Sequence, residues 1–238
     1  MTGLVLKEAE VWLAGFRLTG AMNAVAIDYS AELQDDTTFA DGGTRSRLAG
    51  LRNVTAQCDG FFDGEGIDEA LFSRVGLVGV PMSVAPKGAT EGERAFTFLA
   101  DLAEYSPGGA VGEMLGFSAG AEGDGDLIRG LLAHNATRNA SGDGTALQLG
   151  SVGAGQKLYA ALHVLSAEPG DTLDVVIESD DASGFASPTT RLTFAQAAGV
   201  TSEWVEVTGP ITDEWFRASW SVAGTAPSVA FVVIFGIK

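Results

Sequence analysis

The sequence predicts a mainly β protein, and three observations support that fold class. Most segments combine apolar and β-branched residues and are bounded by Gly, Asp, Ser or Pro, which is typical of strands joined by turns. Only one stretch has clear helical spacing. The 238 residues are 46% hydrophobic and 19% charged, so the chain has enough apolar surface for one large core or two modest ones.

The predicted strands are spread along the chain and lie at residues 11–18, 24–30, 52–62, 77–84, 95–102, 157–165, 173–178, 204–207, 216–222 and 228–236. Apolar and polar residues alternate in 216–222, which indicates that one face packs inward. In 228–236 both faces are apolar. That pattern predicts either a central strand covered on both sides or a strand sealed by a neighbouring subunit.

Residues 67–75 form the predicted helix, because apolar residues recur there at three- and four-residue spacing. Asp68 and Glu69 would lie in its first turn, where the helix dipole favours acidic side chains. Gly76 is placed to end the helix with a left-handed cap. Residues 190–198 are a second, less regular helical candidate.

The two halves of the chain echo each other. The segment YSAELQDDT at 29–37 is similar to LSAEPGDT at 165–172, and each is followed by a strand, an acidic turn and further strands. This order is consistent with a duplicated β-fold joined near the Gly- and Asp-rich segment 120–126. The expected division is a β-domain over 1–122, with the helix near 67–75, and a second β-sandwich half over 123–238.

The chain is acidic throughout, with a formal net charge of −17. Residues 1–120 carry 17 acidic and 8 basic side chains and residues 121–238 carry 14 and 6, so both halves repel polyanions. A nucleic-acid binder is disfavoured, because such proteins neutralise phosphates with Lys and Arg. The longest apolar run, 229–235, is too short to span a bilayer, and no secretory signal is expected at the start.

The reactive residues do not indicate an enzyme. His134 falls in a segment rich in Gly, Asn and Ser that is typical of a loop, whereas His163 alternates within an apolar strand. No zinc-protease, nucleotide-binding or nucleophile-elbow motif is present. The acidic segments 63–69 and 123–126 lack the spacing of a calcium loop, and the lone Cys58 is expected to be apolar filler. We therefore expect no catalytic residue, no cofactor and no metal site.

The most unusual segment is the polar stretch 35–52, which has acidic residues at one end and arginines at the other. Long loops of this kind are often functional. The candidate inter-subunit residues are Asp35, Asp36, Arg45, Arg47 and Arg52, because guanidinium and carboxylate groups form directional ion pairs. A solvated hairpin with local ion pairs is the alternative.

Short motifs lie near both ends of the chain: VWLAGFRLTG at 11–20, NAVAIDYSAE at 23–32, DTTF at 36–39, LAGL at 48–51, SDD at 179–181, GF at 184–185 and DEWFR at 213–217. Together they resemble the major tail (tail tube) proteins of long-tailed, non-contractile bacteriophages. The resemblance implies a tail-tube-like β-sandwich with a short flanking helix. It also implies subunits that form rings, as hexamers or as pseudo-hexameric trimers, and rings that stack into a tube.

The same resemblance implies a place in the virion tail, assembly in the host bacterial cytoplasm, and contacts with other tail proteins. DNA would pass through an acidic lumen without specific binding, since carboxylates repel phosphates. Two alternatives stay open. One is a head-decoration or other virion structural protein; the other is a carbohydrate-binding β-sandwich module that uses exposed Trp faces. Against the second, we expect Trp12 and Trp220 in the core and Trp204 and Trp215 partly buried.

Overall fold

The computed structural model describes residues 6–63 and 66–238, and they divide into two compact units. The first unit comprises the described part of Met1–Ala21, together with Val80–Leu99 and Ile128–Lys238. The second unit comprises the described parts of Met22–Gly79 and Ala100–Leu127. These bounds differ from the expected division at residue 122, and a duplication of two halves stays a prediction.

Strands dominate both units, and the mainly β prediction is confirmed. In chain order they are β1 (Glu10–Leu13), β2 (Phe16–Arg17), β3 (Met22–Asp35), β4 (Arg47–Phe61), β5 (Val80–Ala85), β6 (Arg94–Gly108), β7 (Gly116–Gly123), β8 (Ile128–Arg138), β9 (Gly142–Asp143), β10 (Leu147–Gln148), β11 (Lys157–Ala167), β12 (Thr172–Asp180), β13 (Thr189–Thr193), β14 (Thr201–Thr208), β15 (Trp215–Ala223) and β16 (Val229–Ile237). The helical elements are α1 (Ile67–Phe72) and a 3-10 turn at Phe39–Asp41.

In the first unit, antiparallel strands form a β-sandwich. The larger sheet has the order β14-β11-β16-β8-β6-β5-β1-β2, in which the first residues of β6 pair with β8. The smaller sheet has the order β10-β15-β12-β13, with β9 also beside β15. One apolar cluster joins Leu162, Phe231 and Phe235 of the larger sheet to Ile177 and Phe216 of the smaller one. Two sheets that share a core in this way are the sandwich that the sequence predicts.

Strand β16 is covered on both faces by its own chain. Phe231, Val233 and Phe235 enter the cluster between the sheets, whereas Val232 and Ile234 enter a second cluster on the opposite face. The second cluster also contains Trp12, Ala85, Ala95 and Leu132. The sequence left two explanations for this doubly apolar strand, a central position in the sheet or a cover from a neighbouring subunit. The prediction of a central strand is confirmed.

In the second unit, β3, β4, β7 and the later part of β6 form an antiparallel sheet in that order. Its buried face includes Val54, Ala56 and Cys58 on β4 and Ala119 and Ala121 on β7. Burial raises the pKa of the Cys58 thiol to about 12. The thiol is therefore neutral and packs as small apolar filler, as expected.

Two predicted elements end earlier than expected. The strand at 11–18 is a hairpin of β1 and β2, because Ala14 and Gly15 have φ angles of 49° and 81° and reverse the chain. A side chain at Gly15 would come within 2.6 Å of the Thr201 carbonyl oxygen, so this turn requires glycine. Helix α1 ends at Phe72, and the chain then turns to the sheet, where the Gly76 N–H donates to the Leu102 carbonyl.

Other expectations are wrong about the type of element. Residues 190–198 do not form a helix: β13 covers the first of them and pairs with β12. The glycine-rich strand β7 and the strand β8 have no counterpart among the predicted strands. His134 lies in β8, with its side chain fully buried, and not in a loop. Neighbouring β-strands supply the backbone partners that the local sequence does not reveal.

Candidate assembly surface

Exposed apolar side chains are concentrated in the second unit. Among the described residues, the large apolar side chains with high solvent exposure belong to this unit, except Leu6 and Val200. We call the others the exposed apolar set: Tyr29, Leu33, Phe39, Leu48, Leu51, Phe61, Phe72, Val75, Leu77, Val78, Val111, Met114 and Leu115. Single exposed apolar residues are normal, but a concentration of them is typical of a surface that contacts another molecule.

The hairpin formed by β3 and β4 carries several members of this set. Residues 31–40 and 47–53 are exposed on both faces. The register pairs Leu33 with Ala49 and Gln34 with Leu48, so Leu33 and Leu48 lie on opposite faces of the hairpin. Leu33 is 58% exposed and Leu48 is 62% exposed. A two-stranded hairpin with apolar side chains on both faces is stabilised by a further surface that covers them.

Strand β3 is also an edge strand. Within the part of the chain that the structure describes, its only sheet partner is β4, over a register that runs from Met22 opposite Gly60 to Asp35 opposite Arg47. The other edge of this 14-residue strand presents backbone N–H and C=O groups that pair readily with a strand of another molecule. The second unit therefore offers apolar side chains and an open sheet edge for association.

The hairpin end contains most of the predicted inter-subunit residues. Asp35 and Arg47 lie opposite each other where β3 ends and β4 begins. The turn between them is closed by the Ser46 N–H, which donates to Thr37 Oγ1 at 3.0 Å. The Thr37 N–H donates to Asp35 Oδ1 at 3.0 Å, and the hydrogen bonds from Thr37 lower the pKa of that carboxyl group. The stretch 35–52 is thus a hairpin whose irregular part is shorter than expected.

The remaining predicted residues are placed differently. Asp36 and Arg45 are exposed in the turn. Arg52 lies further along β4, where its Nη1 is 3.6 Å from Asp126 Oδ1, and Tyr29 Oη donates to the same Asp126 oxygen at 3.2 Å. The structure therefore brings Asp35 and Arg47 together and separates Arg52 from them. The exposed hairpin agrees with the solvated-hairpin alternative in its shape, but the ion pair of this stretch joins Arg52 to Asp126 outside it. An inter-subunit role for these residues stays a prediction.

A further group of exposed apolar residues follows α1. Tyr105 Oη on β6 donates to Asp68 Oδ1 on α1 at 2.5 Å, and burial together with this carboxylate raises the pKa of Tyr105. The Leu102 N–H donates to the Leu77 carbonyl at 3.1 Å, while the Leu77 side chain stays 43% exposed. The backbone of this segment is thus fixed to the sheet, and its apolar side chains face solvent.

The described residues of the acidic segments form no arrangement that could hold a metal ion. Gly64 and Glu65 of the segment 63–69 lie outside the described residues. Elsewhere in the described ranges, no group of three or more His, Cys, Asp or Glu side chains is arranged to hold a metal ion. Asp180 accepts hydrogen bonds from the N–H groups of Ala182 and Ser187, so it closes a turn. Backbone donors of this kind lower the pKa of Asp180.

A serine, a threonine and a histidine meet inside the first unit. His163 Nε2 lies 2.9 Å from Ser83 Oγ, which lies 2.8 Å from Thr97 Oγ1, and all three residues are fully buried. The Gly15 N–H donates to His163 Nδ1, so the neutral ring carries its proton on Nε2 and donates it to Ser83. A histidine in that tautomer does not accept the serine proton. The contact is therefore a structural hydrogen-bond chain and not an activated nucleophile.

The tryptophans follow the expected division. Trp12 is fully buried and Trp220 is 6% exposed. Trp204 and Trp215 are half-buried, and the Trp204 ring lies 5.7 Å from the Tyr159 ring between centroids. The burial of Trp12 and Trp220 leaves two of the four tryptophans for a surface that stacks on sugars.

No protein-family model and no curated protein matches the chain. Among solved structures, the chain is similar to a protein in the virion of a native gene transfer agent particle, with 20% identity and a TM-score of 0.46, over 53% of this chain and 98% of that one. It is also similar to SPP1 Dit, a paradigm of the hub adsorption apparatus in phages that infect Gram-positive bacteria, with 14% identity and a TM-score of 0.38, over 98% and 100% of the two chains.

The SPP1 tail tube is a third similar structure, with 11% identity and a TM-score of 0.39, over 51% of this chain and 76% of that one. These similar structures belong to the tails and virions of phages and of a gene transfer agent. All three TM-scores are below 0.5, so these similarities do not assign a role to this chain. None of the helices in the described ranges is long and apolar enough to cross a membrane.

Proposed function

We propose that the chain is a structural subunit of a phage tail tube, which self-assembles into stacked rings that form a conduit for DNA ejection. The observation that carries this proposal is the exposed apolar set of the second unit. Covering apolar surface is favourable by roughly 25 cal/mol per Å². Self-association that covers these side chains is therefore favoured over an isolated subunit.

Ring formation uses the second unit. The open edge of β3 supplies main-chain hydrogen bonds to a neighbouring copy, and the two apolar faces of the hairpin supply contacts that a single copy leaves in water. Contacts of one patch with a different patch of the next copy form a ring when the rotation between neighbouring copies closes. Six chains form such a ring, or three chains if the two halves are a duplication.

The charge of the chain suits a conduit. With a net charge of −17, the subunit repels phosphates, so DNA passes without binding to the wall. The proposed role needs no catalytic residue and no cofactor. Its partners are further copies of the chain and other tail proteins, its place is the virion tail, and its assembly occurs in the host bacterial cytoplasm.

Electron microscopy of concentrated protein, with mass photometry to count subunits, tests the proposal. Hollow tubes with a regular axial repeat are the expected result. Monomers or small closed oligomers at every protein and salt concentration would contradict it. In that case, binding to capsids would indicate the head-decoration alternative, and binding to a glycan array would indicate the sugar-binding module.

A further inference from the structure

The first unit has an open cavity of about 500 Å³ with an unusual charge pattern. Its lining includes Lys87, Glu93, Arg94 and Arg129, with the apolar Pro86 and Leu131. The register of β6 and β8 pairs Arg94 with Leu131 and Phe96 with Arg129. Arg94 and Arg129 are therefore diagonal neighbours on one face of the sheet, within reach of a single bound group.

Neither arginine side chain has a partner among the described residues. Lys87 donates to Glu93 Oε2 at 2.8 Å, but Arg94 and Arg129 make no ion pair or hydrogen bond through their side chains to any described residue. The other arginines of the first unit are all engaged: Arg17 with Glu10, Arg138 with His134 and the Trp220 ring, Arg191 with Asp213, and Arg217 with Glu178. Arg94 and Arg129 are diagonal neighbours on adjacent strands, so one bound anion can contact both guanidinium groups.

We infer that this cavity binds carboxylate side chains of a second copy of the chain. The inference rests on the proposed self-assembly. Each copy carries 31 acidic and 14 basic side chains, so two copies repel each other unless positive charge lies at their contact. Guanidinium groups bind carboxylates through paired N–H donors, and Leu131 and Pro86 offer an apolar wall to the CH₂ groups of Asp or Glu. The cavity thus gives self-assembly a salt-sensitive contact.

The first test compares two charge-matched double variants. Arg94→Gln with Arg129→Gln removes the unpaired cations, and Lys157→Gln with Lys238→Gln removes the same charge elsewhere on the first unit. We expect the cavity variant to raise the protein concentration at half-assembly by about tenfold or more at low salt. The control variant stays close to the wild type. In about 1 M NaCl, where the screening length is about 3 Å, the difference between the variants disappears.

The second test identifies the occupant. Carbodiimide joins a lysine amine to a carboxylate in direct contact, and Lys87 lies in the cavity lining. In a mixture of isotope-labelled and unlabelled wild-type protein, we expect a crosslink from Lys87 of one copy to an acidic residue of another. Mass spectrometry of the mixed-isotope peptides identifies that residue.

The outcomes separate this inference from the proposed function. Normal assembly of the cavity variant, with Lys87 joined only to its own Glu93, overturns the inference and leaves the tail-tube proposal intact. Failure of the wild type to assemble under any condition overturns both. Binding of inorganic phosphate that depends on Arg94 and Arg129, with assembly unchanged, indicates a small-anion site and overturns the assignment to a second copy.

Discussion

His134 Nδ1 lies 2.9 Å from Glu91 Oε1, and the Arg138 Nε–H donates to His134 Nε2 at 3.3 Å. Because Nε2 accepts a hydrogen bond, the neutral ring carries its proton on Nδ1 and donates it to Glu91. The ring centroid lies 4.5 Å from those of Trp220 and Phe231. Burial, with a contribution from the Arg138 charge, lowers the pKa of His134 against the opposing effect of Glu91.

The two histidines make the protein less stable in acid. Burial also lowers the pKa of His163, to about 3. As the pH falls below about 6.5, the unfolded chain binds protons on both histidines before the folded chain does. Their contribution to stability is therefore present above that pH and is lost as the pH falls. We expect a loss of up to about 1.4 kcal/mol per pH unit for each histidine, measured by urea unfolding.

A variant separates this effect from the titration of carboxylates. In His163→Gln, the free energy of unfolding should change less steeply with pH than in the wild type. Between about pH 6 and pH 4, the difference in slope should correspond to the uptake of up to about one proton fewer on unfolding. Equal slopes in the two proteins would show that His163 titrates alike in the folded and unfolded chains.

Gly130 allows β8 and β16 to approach closely. A Cβ atom at this position would lie 2.1 Å from the Phe235 carbonyl oxygen, which belongs to the central strand of the larger sheet. Gly130→Ala should therefore lower the free energy of unfolding by about 1 to 3 kcal/mol, because the backbone has to shift. Gly199→Ala is the control, since a Cβ there meets open space. Equal urea midpoints for the two variants would refute the packing argument.

The hairpin leucines should matter for assembly and not for folding. Leu33 and Leu48 are mostly exposed, so changing both to serine should leave the free energy of unfolding within about 0.5 kcal/mol of the wild type. The same change should reduce the fraction of subunits in rings, measured by mass photometry. Val200→Ser, in the first unit, is the control for loss of an exposed apolar residue. Unchanged assembly of the leucine variant would remove the hairpin from the proposed interface.

Arg45 tests the predicted inter-subunit role of the hairpin end. It is exposed in the turn, so Arg45→Glu should leave thermal unfolding unchanged and weaken ring formation at low salt. Lys157→Glu makes the same charge change in the first unit, where it removes a weak, solvent-exposed ion pair with Glu206. If both variants lose assembly to the same extent, the loss reflects net charge and not a contact at Arg45.

Part of the fold could be predicted because the signal lies within short segments. The alternation of residues in β15 and the doubly apolar pattern of β16 report directly which faces are buried. The helical spacing after Ile67 and the β-branched runs in other strands act over a few residues in the same way. For the candidate surface, the acids and arginines in 35–52 left an inter-subunit loop and a solvated hairpin as alternatives, and the structure has a hairpin in which Asp35 lies opposite Arg47.

The rest depends on partners far away in the chain. Residue periodicity and composition are local properties, so they were sufficient to predict the mainly β class, the acidic character and the strongly apolar strands. The burial of His134 in β8 and the alternation of the two units along the chain become visible only in the folded protein. The same is true of the exposed apolar set and of the unpaired Arg94 and Arg129. Exposure depends on which distant residues pack over a side chain, and neither residue type nor local spacing specifies them.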